Sequence, residues 1–377
     1  MAVTVATLEE TLRRVEALEE LSLDAELLAA FAQRPACGEP VNFYTPTFKH
    51  FESAEIAACG RNAWPALSIT GSDCKLKCDH CKAAILEPMI PARTPEALWR
   101  RVNELIAGGA EGMLLTGGSN HANEVEYGPF YSTLRRIKRE FPDFRIALHT
   151  ALVDEVAADA MAESGVDVAM MDLIGAQETI TQVYHLKRSV EDFERTLEIL
   201  VARPMKVVPH IVLGLHYGRL LGEARALEML VRHTPDAVVL VVVMPFYAPP
   251  KRPFAIPEPR DVGHLFLEAR RRLPQTPLLL GCARPPGEAR RQIDTYAVLA
   301  GLNGIAHPSE GIVELAARLE RPVRVSPACC SIAVGDEVFA GDGREGLQLD
   351  LDQVLAHERA RRGAGALGGI PVVEAGG

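Results

Sequence analysis

No apolar run in this 377-residue chain approaches the roughly 20 residues needed to cross a bilayer. The longest, Ala237 to Pro245, has the length of a strand. The first ten residues hold no basic segment followed by an apolar core, so a secretory leader is not expected and a cytoplasmic location is. Positive charge is in short supply. The 40 Lys and Arg face 50 Asp and Glu, for a formal net charge of −10, which argues against broad nucleic-acid binding through phosphate neutralisation. No second C-x2-C pair accompanies the one at Cys78 and Cys81, whereas zinc sites usually use two such pairs. No short-period repeat occurs. What remains is a chain of globular apolar content, 48%, long enough for one large α/β barrel with terminal extensions. Eight cysteines in a chain expected to be cytosolic are better read as cluster ligands than as disulfides.

Leu8, Leu12, Val15, Leu18, Leu21 and Leu28 recur at helical spacing, so residues 5–33 read as helical up to Arg34-Pro35. Residues 37–65 read as irregular and aromatic-rich, with Cys37 and Cys59 inside. From residue 66 a rhythm of apolar run, loop and amphipathic segment begins. The expected strands are Ala66–Thr70, Gly112–Thr116, Phe144–His149, Val166–Met171, Lys206–Leu213, Ala237–Met244, Pro277–Gly281 and Gly304–Ala306. The expected helices between them are Pro95–Ala107, Tyr131–Glu140, Val156–Ser164, Val190–Ala202, Glu223–Arg232, Asp261–Arg272 and Asp294–Ala300. Continuous apolar runs such as Val238–Val243 suit strands buried on both faces, and eight such units point to a (β/α)8 barrel or a near-complete version. The expected division is an N-terminal extension over 1–62, a barrel over 63–321 and a C-terminal extension over 322–377 with flexible last residues.

Chemistry in such a barrel sits at the C-terminal ends of the strands. Just after the first one lies Cys74-Lys-Leu-Lys-Cys78-Asp-His-Cys81, a C-x3-C-x2-C run. Three thiolates hold three irons of a four-iron cluster and leave the fourth open to a small molecule. A zinc knuckle completed by His80 or a fourth cysteine is the other reading of the same thiols. Thr116-Gly117-Gly118-Ser119-Asn120 follows the second strand; its paired glycines let backbone approach a ligand closely, or form an ordinary tight turn. His149 follows the third strand and faces the substrate or packs at the barrel mouth. Asp172 follows the fourth and either accepts hydroxyl hydrogen bonds or caps the next helix. The fifth strand, Val208–Gly218, carries His210 and His216 and lacks the G-x-G-x-x-G fingerprint of a dinucleotide site. Cys282 and Arg284 follow the seventh strand, where the cysteine is a cluster ligand or a buried free thiol. Adjacent Cys329 and Cys330 are poorly placed for a disulfide with each other and, with Ser331, are expected to wrap a metal cluster, together with Cys37 if both termini fold over the barrel mouth.

The cysteine run and its position resemble the radical S-adenosylmethionine (radical SAM) superfamily over about residues 60–310. Within it the chain looks most like the two-protein lipoyl synthases of archaea and some bacteria, distant relatives of biotin synthase. That likeness rests on Cys78–Cys81, Thr179–Leu186, Val208–Gly218, Gly281–Pro285 and the terminal Cys-Cys-Ser. The resemblance implies a radical SAM TIM-type barrel and a four-iron cluster on Cys74, Cys78 and Cys81. It further implies S-adenosylmethionine positioned by Gly117, Gly118, Ser119, Asp172, Ile211 and Gly214, with Ser119 standing where an acidic residue is usual and Asp172 at the ribose. A second, auxiliary iron–sulfur cluster is expected from Cys37, Cys282, Cys329 and Cys330; the N-terminal cysteine triplet of single-chain lipoyl synthases is missing, so its ligands are distributed differently. The implied activity is sulfur insertion into octanoyl chains of a lipoyl carrier protein, with a sibling radical SAM protein and a ferredoxin or flavodoxin as partners. A biotin-synthase-like or other hydrogen-abstracting enzyme, and a non-catalytic iron–sulfur or zinc scaffold, are the alternatives.

Overall fold

The computed structural model describes residues 4–34, 40–46, 53–56, 63–244, 253–332 and 347–349. The readings made for Cys37, Cys59 and the flexible tail lie outside them.

The strands are β1 (Val41–Tyr44), β2 (Ala66–Ser68), β3 (Ile90–Pro91), β4 (Gly112–Thr116), β5 (Arg145–His149), β6 (Val168–Met170), β7 (Lys206–Val207), β8 (His210–Leu213), β9 (Val238–Val242), β10 (Leu278–Leu280), β11 (Gly304–Ala306), β12 (Val323–Ser326) and β13 (Leu347–Leu349). They form two sheets, β3-β2-β4-β5-β6-β7 and β8-β9-β10-β11-β1-β12-β13. Every pairing is parallel except β12 with β13. Parallel strands need crossovers, and helices supply them, each packing on its neighbour around the outside.

The expected strand Lys206–Leu213 is split into β7 and β8 at Val208-Pro209. Proline has no N–H to give the ladder. The chain nevertheless carries the sheet across the break. Val208 N donates to Ala169 O at 2.9 Å, His210 N to Met171 O at 2.7 Å and Val239 N to Pro209 O at 3.0 Å. The two sheets thus run on as one curved wall, an α/β partial TIM-type barrel. Among the described residues no strand pairing joins β3 to β12 or β13, so the barrel is open at that seam.

Two segments read from sequence as extensions lie in this wall. Val41–Tyr44 is hydrogen-bonded between β11 and β12, and β12 itself follows residue 321. After β12 the chain turns inward, and the short turn Cys330–Ile332 is buried against Tyr44, Ala147, Met170, Val239 and Ala306 inside the barrel. The expected helix over 5–33 is two α-helices, Val5–Arg13 and Ala25–Ala32, with a single turn at Glu16–Leu18; the second α-helix starts at Asp24, whose carboxylate accepts from Leu27 N at 2.9 Å. The outer helices obey local rules. Pro95–Ala107 starts where Thr94 Oγ1 accepts from Ala97 N at 3.1 Å, has proline in its first turn, ends at Gly108 and buries Leu98 and Val102. No helix among the described residues is long and apolar enough to cross a membrane.

Candidate active site

A cavity of about 590 Å³ opens at the C-terminal ends of the strands, within the size range of small-molecule sites. The cysteine loop forms one border. It leaves β2 through Gly71 at φ 61° and bends again at Lys77 and Lys82, both at φ 48°. Lys75 N donates to Ser119 O at 2.9 Å and Asp79 N to Val183 O at 2.8 Å, pinning the loop to two others. Cys74, Cys78 and Cys81 all face the cavity. Burial first, then the neighbouring Cys81 and Cys74, push the Cys78 thiol well up. Burial works in the same direction on Cys81, but the His80 imidazole beside it brings that thiol below its ordinary value.

Gly117 and Gly118 also border the cavity. Gly118 N donates to Thr70 Oγ1 at 2.8 Å, and a β-carbon on Gly118 would meet the Asp73 carbonyl and Cys74. The glycine pair is therefore required by the packing of the cysteine loop as well as by any ligand. Ser119 lines the same wall, and its carbonyl receives both Lys75 N and, at 3.7 Å, the Cys74 thiol.

Asp172 lies across the cavity with His149, His210 and Tyr184. His149 Nε2 stands 3.7 Å from Asp172 Oδ1, the His149 and His210 rings are 5.4 Å apart, and Tyr184 OH donates to Asp172 Oδ2 at 3.5 Å. Burial would raise the Asp172 carboxyl, but the His149 imidazole and the charges of His210 and His80 hold it at about 2. Burial, with His149 alongside, lowers His210 to about 4. Asp172 caps no helix: the next one begins at Gln177 behind Ala176, with no side-chain cap. On the fifth strand, where Ile211 and Gly214 are expected at the cofactor, the cavity is bordered by His210 and Val212 instead. By strand alternation Ile211 points outward and is buried in the layer under the helices. Gly214 is also away from the cavity, its N–H held by Glu223 Oε1 at 2.9 Å.

The floor carries the second set of thiols. Cys282, Cys329, Cys330 and Ser331 border the same cavity as the first set. The Cys330 thiol donates to Cys329, which lowers Cys329 and, with burial, raises Cys330. Arg284 stands behind the Cys282 loop, away from the cavity. It is fully buried, paired with Asp294, and donates to the carbonyls of Gly281, Ala306 and His307, so it fixes the loop that presents Cys282.

Among the described residues no three His, Cys, Asp or Glu side chains gather as ligands of one ion. Thr150 Oγ1 is buried on the border of the cavity and lacks a hydrogen-bond partner among the described residues, and an orphaned polar atom there is what a polar ligand completes.

Sequence reasoning gave no role to Tyr184, whose ring stacks on His80 at 5.1 Å and whose hydroxyl reaches Asp172. Its only local signal is its place in the Thr179–Leu186 segment.

Comparison with known proteins agrees with this geometry. Residues 68–219 match the radical SAM superfamily. No curated protein sequence matches the chain. Among solved structures, the [FeFe]-hydrogenase maturase HydG aligns with TM-score 0.52 at 12% identity, covering 90% of this chain and 81% of that one. Methylornithine synthase (PylB) aligns with TM-score 0.48 at 14% identity, covering 81% and 83%. At such identities the likeness concerns the fold alone. Residues 68–219, which hold the three thiols at the mouth of the partial barrel, are thus similar to a radical SAM superfamily domain.

Proposed function

We propose that the protein is a radical SAM sulfur-insertion enzyme, a lipoyl synthase component acting on octanoyl chains of a lipoyl carrier protein. The observation that carries this reading is that two separate sets of cysteines, Cys74, Cys78 and Cys81 at the mouth and Cys282, Cys329 and Cys330 at the floor, border one cavity. A cluster on the first set would supply the electron that splits S-adenosylmethionine, and one on the second would supply sulfide sulfur.

The chain's own residues bind, orient and exclude. The Gly117-Gly118 backbone allows close approach of the methionine end of the cofactor, where the Ser119 carbonyl is already committed to the cysteine loop. Asp172, ionised down to about pH 2, accepts hydroxyl hydrogen bonds while Tyr184 and His149 hold its orientation. Leu114, Met170, Val239 and Val241 give the cavity an apolar wall. Burying an alkyl chain there is worth about 0.8 kcal/mol per methylene, and a dry wall keeps the abstracted hydrogen that of the target. Each insertion replaces one C–H bond of the chain by a C–S bond. The carrier protein, a sibling radical SAM protein, and a ferredoxin or flavodoxin belong to this proposal as partners.

The test is anaerobic reconstitution with iron and sulfide, dithionite reduction, and incubation with S-adenosylmethionine and an octanoyl-lysyl carrier domain. The expected result is 5′-deoxyadenosine together with a thiolated acyl chain and loss of protein-bound sulfide. Cofactor cleavage with no sulfur in the product, and sulfide fully retained, defeats the sulfur-insertion reading; thiolation of a biotin precursor instead moves the assignment to that substrate.

A further inference from the structure

Asp79 sits inside the cysteine loop, between Cys78 and Cys81, yet its carboxylate does not border the cavity. It turns the other way and is 7% exposed. Three donors converge on it there. Lys82 Nζ pairs with Oδ1, His185 Nε2 reaches the same oxygen at 3.0 Å, and Tyr217 OH donates to Oδ2 at 2.9 Å. Tyr217 OH is also 2.9 Å from Gln182 O, and the Asp79 amide donates to Val183 O at 2.8 Å. The carboxylate therefore joins the cysteine loop, the turn after the helix Gln177–Gln182, and the loop after β8.

The backbones of its partners share a feature. Lys82, His185 and Tyr217 all adopt left-handed φ, at 48°, 57° and 54°. Non-glycine residues avoid this region and persist in it only where the surroundings over-determine them. Local turns hold these backbones, Tyr217 ahead of Gly218 in the turn His216–Arg219, His185 at the end of the helix Gln177–Gln182 and Lys82 in a turn closed from Cys78, and all three direct their side chains to one carboxylate. One further contact extends the junction to the cavity: Tyr184, next to His185, lies over His80 and reaches Asp172. On the other side Tyr217 packs on Phe254 with ring centroids 4.8 Å apart.

We infer that Asp79 is a positioning residue that locks the cysteine loop to the loops following β6 and β8, so that the three order as one unit around the cofactor cavity. The inference rests on the radical SAM reading only for what the cavity holds. The lock is a property of the polypeptide, and it predicts that loosening any one loop loosens the others.

The first measurement is hydrogen exchange on the protein without cluster or cofactor. In Asp79→Asn, amides in 75–82, 183–187 and 215–218 are expected to lose protection together, by about tenfold or more, while the outer helices keep theirs. Tyr217→Phe, which leaves the carboxylate and two donors in place, gives the same pattern at smaller amplitude, and the double variant does not exceed Asp79→Asn alone. Should Asp79→Asn fail to fold, Tyr217→Phe and His185→Gln decide the matter by the same pattern. Loss of protection confined to the cysteine loop, or effects that add, overturns the lock. The second measurement is titration of the reduced, reconstituted protein with S-adenosylmethionine, followed by the electron paramagnetic resonance change of the cluster. Asp79→Asn is expected to keep its iron and to need about tenfold more cofactor; an unchanged titration overturns the role in cofactor positioning. If even the native protein takes up no iron, the radical SAM reading fails, and the exchange data still judge the lock.

Discussion

Gly118 and Cys74 are packed so closely that a β-carbon on the glycine would lie 2.6 Å from Cys74 Cα and 2.7 Å from Cys74 Cβ, and would press on the carbonyl oxygen of Asp73. These contacts are with backbone and with the root of a side chain, which cannot swing aside. Gly118→Ala therefore moves the first cluster ligand, at a packing cost of about 1–3 kcal/mol. At Gly117 the nearest atom is Ile69 Cγ1, at 2.7 Å, and no cysteine is among its near neighbours. Iron bound per chain after anaerobic reconstitution is expected to drop sharply in Gly118→Ala and much less in Gly117→Ala. Equal iron in both would mean that the close approach does not govern the cysteine loop. Cys78→Ala, which removes a ligand outright, is expected to abolish 5′-deoxyadenosine formation.

The Arg284–Asp294 pair makes a prediction about stability. Both side chains are 0% exposed, and Asp294 Oδ2 also accepts from Ser309 N and Oγ at 2.8 Å each. Removing one member of a buried pair strands the other charge, which costs about 3–5 kcal/mol. Arg284→Met should lower the urea midpoint accordingly. The double change Arg284→Met, Asp294→Leu should recover much of the loss, because a buried pair contributes little net stability over apolar residues that fill its space. A double variant as weak as the single one would show that the carbonyl contacts of Arg284, and not its charge, hold these loops.

Stability should also fall with acid in two stages. His210 is held at about 4, below its unfolded value of about 6.5. Between those values the unfolded chain binds a proton that the folded chain refuses, so stability declines as pH drops through that window, by about 3 kcal/mol in all. Asp79 and Asp172 are each depressed to about 2. Their contribution is present above about pH 4 and is lost as pH falls toward 2. Urea midpoints of the cofactor-free protein at pH 7, 5.5 and 4 measure the first stage. His210→Gln should flatten it; an unchanged slope would assign the loss to other groups.

Much of the frame can be read locally. The helix Pro95–Ala107 and the strand Gly112–Thr116 carry their own start signals and apolar pattern, and the structure has them at the expected residues. The strand Val41–Tyr44 carries no such signal: four residues in an aromatic stretch become a strand only because β11 and β12 flank them, from the far end of the chain. The same holds at the site. Cysteine spacing reveals the cluster loop, whereas the lock on Asp79 draws donors from His185 and Tyr217, 106 and 138 positions away, and only the fold brings them together. The strand alternation that puts His210 and Val212 at the cavity and Ile211 behind it depends on register, which a continuous apolar run conceals.

The turn Cys330–Ile332 separates chemistry from packing. Cys330 is 3% and Ile332 4% exposed, and both pack in the barrel interior with Tyr44 and Ala306. Ile332→Ala leaves a cavity under the floor and should cost about 2–4 kcal/mol by urea denaturation. Cys330→Ala removes one sulfur and should cost about 1 kcal/mol. If the floor thiols hold a second cluster, the ranking reverses in function. Cys330→Ala keeps 5′-deoxyadenosine formation but loses part of the iron and all sulfur transfer, while Ile332→Ala, assayed well below its melting temperature, keeps both. Full iron content in Cys330→Ala, with its cofactor cleavage intact, would leave Cys330 as a packing residue and remove the sulfur source from the proposed reaction.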